Sequence, residues 1–270
     1  MTETRSIENA PAPRTRRSLS DDLRRLGLRA GEALLVHSSL SSLGWVCGGP
    51  VAVIQALQDV LSPDGTLIMP AFSGDLSDPA YWQHPPVPDS WWPVIRESMP
   101  AYEAALTPTR GIGRIAELFR SWPGVLRSDH PHDSFAAWGR QAEVVTAGHG
   151  LERSLGEGSP LARLVDLEAR VLLLGVGFDS CTAFHLAEER SGRFDFILQG
   201  APLLADGRRV WKSFRNVDYQ SDDFAACGQA FEASGAVLRG PIGSSESRLF
   251  AIRAGVDFAT AWLTEHRPPA

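Results

Sequence analysis

The sequence is poor in cysteine, has no long apolar run, and lacks the motifs that mark the commonest cofactors. Its three cysteines are Cys47, Cys181 and Cys227. They are odd in number, far apart and never in a Cys-x-x-Cys pair. That excludes a disulfide framework and a cysteine-rich zinc site, and predicts reduced thiols. No apolar stretch approaches the roughly 18–20 residues that would cross a bilayer. The first residues are polar, with Arg14, Arg16 and Arg17 beside Pro11 and Pro13 and no apolar h-region behind them. The expectation is a cytoplasmic protein without a signal peptide. There is no Gly-Lys-Ser/Thr phosphate loop and no G-x-G-x-x-G after a strand, which leaves ATP and NAD without support. The G-x-S-x-G elbow of serine hydrolases is missing too. The formal net charge of -6 argues against nucleic acid or an anionic membrane as partner and is compatible with a cationic small molecule.

What is present is ordinary globular material. The chain has 270 residues, 43% hydrophobic and 21% charged, enough for a full core. Residues 1–17 read as a disordered tail and 18–270 as one domain. A helix is expected from Ser20, where acids follow a capping serine. Residues 33–37 read as a buried strand, 50–62 as a helix opening on a proline, and 66–69 as a second strand. That is a β-α-β unit, so a parallel pair with a right-handed crossover. Residues 73–109 are rich in proline and carry Trp82, Trp91 and Trp92. A loop this long is usually functional, and Trp91 with Trp92 would either wall a ligand cleft or pack the loop onto the body. Further on, the expected elements are helices over 111–121, 180–189, 222–234 and 256–265. Strands are expected over 171–174, 194–199, 210–214, 236–239 and 248–252, with Asp206-Gly207 as a hairpin turn. Strands alternating with helices mean α/β.

Several segments offer chemistry. In Phe184-His185-Leu186-Ala187-Glu188, His185 and Glu188 stand at i and i+3 of a helix that follows a buried strand. A carboxylate on one imidazole nitrogen fixes the tautomer and makes the other nitrogen a better base. The site would lie at the carboxyl end of a central strand, where α/β sheets place ligands. Taken alone, the spacing also fits a solvent-facing ion pair. His37, Ser38 and Ser39, with Ser41, Ser42 and Gly44 behind them, end the first strand in a loop able to hold a carbonyl or a phosphate. Thr107-Pro108-Thr109-Arg110 introduces a helix and could bind an anion. The densest polar segment is Arg127-Ser128-Asp129-His130-Pro131-His132-Asp133-Ser134. Its two histidines cannot share a helical face and no H-E-x-x-H accompanies them, so no metal is expected. Its hydroxyls and Arg127 would hold a polar cofactor or the loop itself.

Eight segments, in this order, resemble the aminoglycoside 3-N-acetyltransferase (antibiotic N-acetyltransferase) family, most of all its environmental, Bacillus-type branch. They are Leu35-Val36-His37-Ser38-Ser39-Leu40, Gly48-Gly49, Pro63 to Pro70, Thr107-Pro108, Arg127 to Pro131, Gly156 to Pro160, Leu172 to Gly177, and His185 to Glu188. The family's Phe-Asp-Pro ahead of its Thr-Pro segment is replaced here by Tyr102-Glu103-Ala104. The resemblance implies a three-layer α/β/α sandwich on a mixed, largely parallel sheet, unrelated to the GNAT acetyltransferases. It implies acetyl-CoA as donor and an amine as acceptor, with His185 as general base and Glu188 as its orienter. His37, Ser38, Ser39, Thr107, Thr109 and Arg110 would border the coenzyme channel. Asp75, Glu103 and Asp179 would face a polycationic sugar, with the oxyanion held by backbone N–H groups around Ser38 and Ser39. On these grounds Glu188→Gln should be milder than His185→Ala. Three rivals stand beside this expectation: an N-acyltransferase of the same fold with another amine substrate, a non-catalytic CoA-binding protein, and a Ser or Cys hydrolase, for which Cys181, four residues before His185, is better explained by packing. A homodimer is among the assemblies left open.

Overall fold

In β1 (Ala33–Ser38), Leu34 and Val36 point to one side of the sheet and Leu35 to the other, and all three are buried. The same two-sided burial recurs in β2 (Thr66–Pro70) and β5 (Arg170–Leu174). Strands apolar on both faces need cover on both faces. The structure, a computed structural model that describes residues 7, 8 and 12–269, supplies it as two separate hydrophobic cores. On one side lie α1 (Arg16–Leu26), α2 (Gly49–Leu61) and, beyond a short α3 (Trp92–Ser98) in the proline-rich loop, α4 (Gly113–Phe119). On the other lie α5 (Ala142–Thr146), α6 (Pro160–Asp166), α7 (Ala183–Ser191), α8 (Phe224–Ala233) and α9 (Ile252–His266).

The main sheet also contains β3 (Leu126–Arg127), β4 (Phe135–Gly139), β8 (Leu238–Ile242) and β9 (Ser245–Ala251), in the order β3-β4-β2-β1-β5-β9-β8. β1 pairs in parallel with β2 and with β5, and the flanking pairs are antiparallel. β3 and β8 therefore run with the central three strands, and only β4 and β9 oppose them. The expected α/β/α sandwich with a mixed, largely parallel sheet is what forms. β6 (Phe196–Ala205) and β7 (Arg208–Val217) make a separate hairpin, closed by Asp206 and Gly207, both at positive φ as a two-residue turn requires.

The chain's start differs from the sequence reading. The first long helix begins at Arg16, not Ser20. Thr15 caps it, its side chain accepting from the Ser18 amide while Ser18 answers at the Thr15 amide. Ser20 lies inside the helix and donates to the Arg16 carbonyl. Arg14 bridges Val46, so the expected disorder does not extend to residue 17, while residues 1–6 and 9–11 lie outside the described ones.

Candidate active site

β1 sends its chain to β2 on one side and is paired with β5 on the other, so the connections diverge at its carboxyl end. Such a switch point leaves a crevice. Here it is a cleft of about 730 Å³ lined by His37, Ser38, Ser39, Gly113, Thr182 and His185, among others. Gly175, which follows β5, sits at positive φ, and a Cβ there would come within 2.7 Å of the Ser245 hydroxyl and 2.9 Å of the Ser42 Cβ. The loops around the crevice can close only over glycine at that point.

His185 reaches the cleft from α7. Phe184, Leu186 and Ala187 are buried in the core, and Gly192 ends the helix in the left-handed conformation. The solvent-facing alternative for His185 and Glu188 is excluded by burial: the Glu188 side chain is 0% exposed. His185 Nδ1–H donates to Glu188 Oε2 at 2.8 Å, and the ring lies against Tyr219 and Phe224 with centroids 5.0 and 4.8 Å away. This contact fixes the tautomer and leaves Nε2 as the lone-pair nitrogen. The other Glu188 oxygen accepts from the Gln220 amide at 3.0 Å and from Arg267 at 2.5 Å.

His37 sits across the cleft on β1, 7% exposed. Its Nδ1 faces the Thr182 hydroxyl at 3.5 Å, and its Nε2 is buried with no hydrogen-bond partner. Burial first, and the neighbouring His185 second, push its pKa down to about 3, so this ring is neutral at physiological pH. The serines behind it form a hydroxyl chain: Ser42 donates to Ser39 at 2.8 Å, and Ser39 and Ser41 share a bond of 3.2 Å. The Ser39 amide is already committed, donating to the Leu174 carbonyl at 3.0 Å. It is not free to meet an oxyanion.

Other residues singled out in the sequence lie elsewhere. The Thr109 amide and hydroxyl both donate to Glu117, and the Thr107 hydroxyl accepts from the Glu103 amide. Burial opposes the charge on Glu117, but the bonds from the Arg120 guanidinium and from the Thr109 hydroxyl and amide outweigh it and hold the carboxyl down to about 2. Arg110 pairs with Asp75 on the surface. The cleft is lined instead by their successors, Gly111, Ile112, Gly113 and Arg114. Of the three acids, Asp179 lines the cleft, and Glu103 lies in a separate depression with Tyr102 and Asp129. Trp91 and Trp92 do not line it either; Trp45 does.

The Arg127–Ser134 segment holds the loop itself. The Arg127 guanidinium stacks on Tyr102, 5.3 Å from the ring centre, and donates to the carbonyls of Ala71 and Thr107 at 2.6 and 2.5 Å. His130 Nδ1 accepts from the amides of His132 and Asp133, and its Nε2 meets the Leu151 carbonyl. His149 bonds Ser128 and the Ser154 carbonyl. Both nitrogens of both rings are occupied, and no group of three or more His, Cys, Asp or Glu among the described residues is arranged to hold a metal. Nor is any helix among them long and apolar enough to cross a membrane.

A cleft at the switch point, with a carboxylate-propped imidazole on one wall and hydroxyls on the other, is the equipment of an acyl-transferring enzyme. The family model for aminoglycoside 3-N-acetyltransferases matches residues 35–264, and the chain belongs to that family of acetyltransferases. It is 52% identical, over 95% of both chains, to the SPbeta prophage-derived aminoglycoside N(3')-acetyltransferase-like protein YokD of Bacillus subtilis. The crystal structure of YokD superposes with a TM-score of 0.96 at 50% identity, covering 97% of this chain and 98% of that one. The aminoglycoside N(3)-acetyltransferase III of Pseudomonas aeruginosa is 37% identical over 93% of this chain and 94% of its own. AAC-IIIb, solved as a binary complex with CoASH, has a TM-score of 0.85 at 33% identity, over 96% of this chain and 99% of that one.

Proposed function

We propose that the protein transfers the acetyl group of acetyl-CoA directly to the 3-amino group of an aminoglycoside, with His185 as general base. The observation that carries this reading is the 2.8 Å His185–Glu188 contact, buried behind the ring and open to the cleft in front of it. The amine attacks the thioester carbonyl, its proton passes to His185 Nε2, and the C–S bond breaks to release CoA. General-base help of this kind is worth about 10²–10⁴ in rate. Holding thioester and amine together in the cleft supplies a further large share. The acyl end of the donor lies beside Ser38 and Ser39, where the unpartnered Nε2–H of His37 meets the carbonyl oxygen as negative charge develops on it. A relative solved with CoASH supports the donor, and relatives named for aminoglycosides support the acceptor.

The test is His185→Ala, assayed by thiol release from acetyl-CoA with gentamicin, with the acetylated position read by NMR. Near wild-type turnover would remove His185 from its role. A second reading, the same chemistry on a smaller amine, is favoured by one observation: of the three acids expected to meet a polycation, only Asp179 lines the cleft. A panel of mono- and polyamines separates the two.

A further inference from the structure

The carboxylate behind His185 is shared. Glu188 gives one oxygen to the imidazole and the other to Arg267, whose Nη1 donates at 2.5 Å. Arg267 lies just beyond α9, 79 residues from Glu188, and its side chain is 13% exposed. The rest of its fork is committed as well. Nε and Nη2 donate to the two oxygens of Asp223 at 2.7 and 2.6 Å, and Nη2 also donates to the Gln220 carbonyl at 2.8 Å. Burial opposes the charge, but the bonds to Asp223 and Glu188 outweigh it and raise the Arg267 pKa, so the cation is permanent.

Such a cation has a consequence for the base in front of it. A buried carboxylate with no other partner would favour imidazolium strongly, and a protonated His185 cannot take a proton from an amine. A fixed positive charge on the far oxygen divides that pull. We infer that Arg267 is a positioning residue for the transfer: it anchors Glu188 in one rotamer and offsets its charge, so that His185 stays an unprotonated base at neutral pH. This inference rests on His185 being the base. The titratable and charged groups around the ring are Glu188 on its own helix and Tyr219 in the β7–α8 connection, which touch it, Arg267 after α9 and Asp223 at the start of α8, which stand behind Glu188, and His37 on β1, Asp179, Cys181 and Arg114, which share its cleft. Tyr219 is spoken for, donating to Glu189, which also pairs with Arg153, and it remains a neutral phenol. His37 is neutral.

The experiment is the pH profile of kcat/KM for the full chain with acetyl-CoA and gentamicin. It compares wild type with Arg267→Met, Arg267→Lys and Asp223→Asn, alongside His185→Ala and a melting curve for each. The acceptor's own amines titrate alike for every variant, so a displaced acid limb belongs to the enzyme. Arg267→Met is expected to move that limb to higher pH by about one unit. Arg267→Lys should return it most of the way, and Asp223→Asn should move it to lower pH, because the cation then acts on Glu188 alone. Equal acid limbs in all of them, whatever the loss of activity or of melting temperature, would reduce Arg267 to a structural clamp and overturn the inference. Should Arg267→Met not fold, the displacement of Asp223→Asn to lower pH carries the test. If His185→Ala keeps its activity, the failure belongs to the base assignment and not to Arg267.

Discussion

Replacing Glu188 by glutamine tests the site most sharply, because the hydrogen bonds around the carboxylate determine which way the amide must sit. Three donors point at Glu188: His185 Nδ1–H on one oxygen, and the Gln220 amide and Arg267 on the other. A carboxylate accepts from all of them, whereas an amide has one accepting oxygen and one donating nitrogen. Turned toward His185, that oxygen would leave an NH2 group against two N–H donors, one of them charged. Turned the other way it satisfies both, at the cost of presenting NH2 to His185 Nδ1. The second arrangement wins. His185 must then accept at Nδ1 and carry its proton on Nε2, the nitrogen that faces the amine. The base is lost although the imidazole is still there. The expected fall in kcat is about 10³-fold or more, equivalent to about 4 kcal/mol of transition-state stabilisation. On this reasoning Glu188→Gln loses the base as completely as His185→Ala, against the expectation from sequence that it is the milder change. The assay is thiol release under saturating acetyl-CoA for Glu188→Gln, Glu188→Ala and His185→Ala, with melting curves to confirm folding. If the Glu188→Gln variant retained more than about a tenth of wild-type kcat, the tautomer argument would be wrong.

Further outcomes follow from neighbouring parts of the molecule. At Gly228 on α8 a Cβ would stand 2.0 Å from the Phe178 ring, which stacks on Phe184 beneath His185. Gly228→Ala should cost about 3 kcal/mol and lower the melting temperature by roughly 6–12 °C, measured by calorimetry. Burial holds the pKa of His130 and of His149 to about 4, against an ordinary 6.5, so the unfolded chain binds more protons than the folded one between those values. Stability is therefore complete above about pH 6.5 and falls as pH drops toward 4, by up to about 1.4 kcal/mol per histidine per pH unit. Urea titrations at pH 7, 6 and 5 would show midpoints that decline in that order. His37→Phe keeps the ring's volume but removes Nε2; it should leave the fold intact and reduce kcat/KM roughly tenfold, about 1.4 kcal/mol. An unchanged kcat/KM would detach His37 from the reaction.

The layout of the central sheet was legible because β1, β2 and β5 are apolar on both faces, a pattern that short surface strands do not show. Phe135–Gly139 escaped notice, since Ala136, Ala137 and Gly139 have weak strand preference and form β4 only by pairing with β2. α5 and α6 are short and were hidden for the same reason: packing, not propensity, makes them. At the site, His185 and Glu188 were readable because they are three residues apart. Arg267 was not, because nothing local ties it to a residue on α7. Thr107 and Thr109 looked available as ligands for an anion, yet Glu117, one helical element further on, had already taken Thr109. A sequence shows which hydroxyls exist; it does not show which of them are already spoken for.

The cleft straddles two layers that do not share a core. The imidazole, its carboxylate and the arginine behind them belong to the α7–α9 side. The opposite rim, from Gly111 to Arg114 together with Trp45 and Val46, is built on the α2–α4 side. Substitutions on that rim can reshape what fits without disturbing the bonds that aim the base. On the function proposed here, an exchange of rim residues alters which acceptor fits and leaves the proton-handling groups in place.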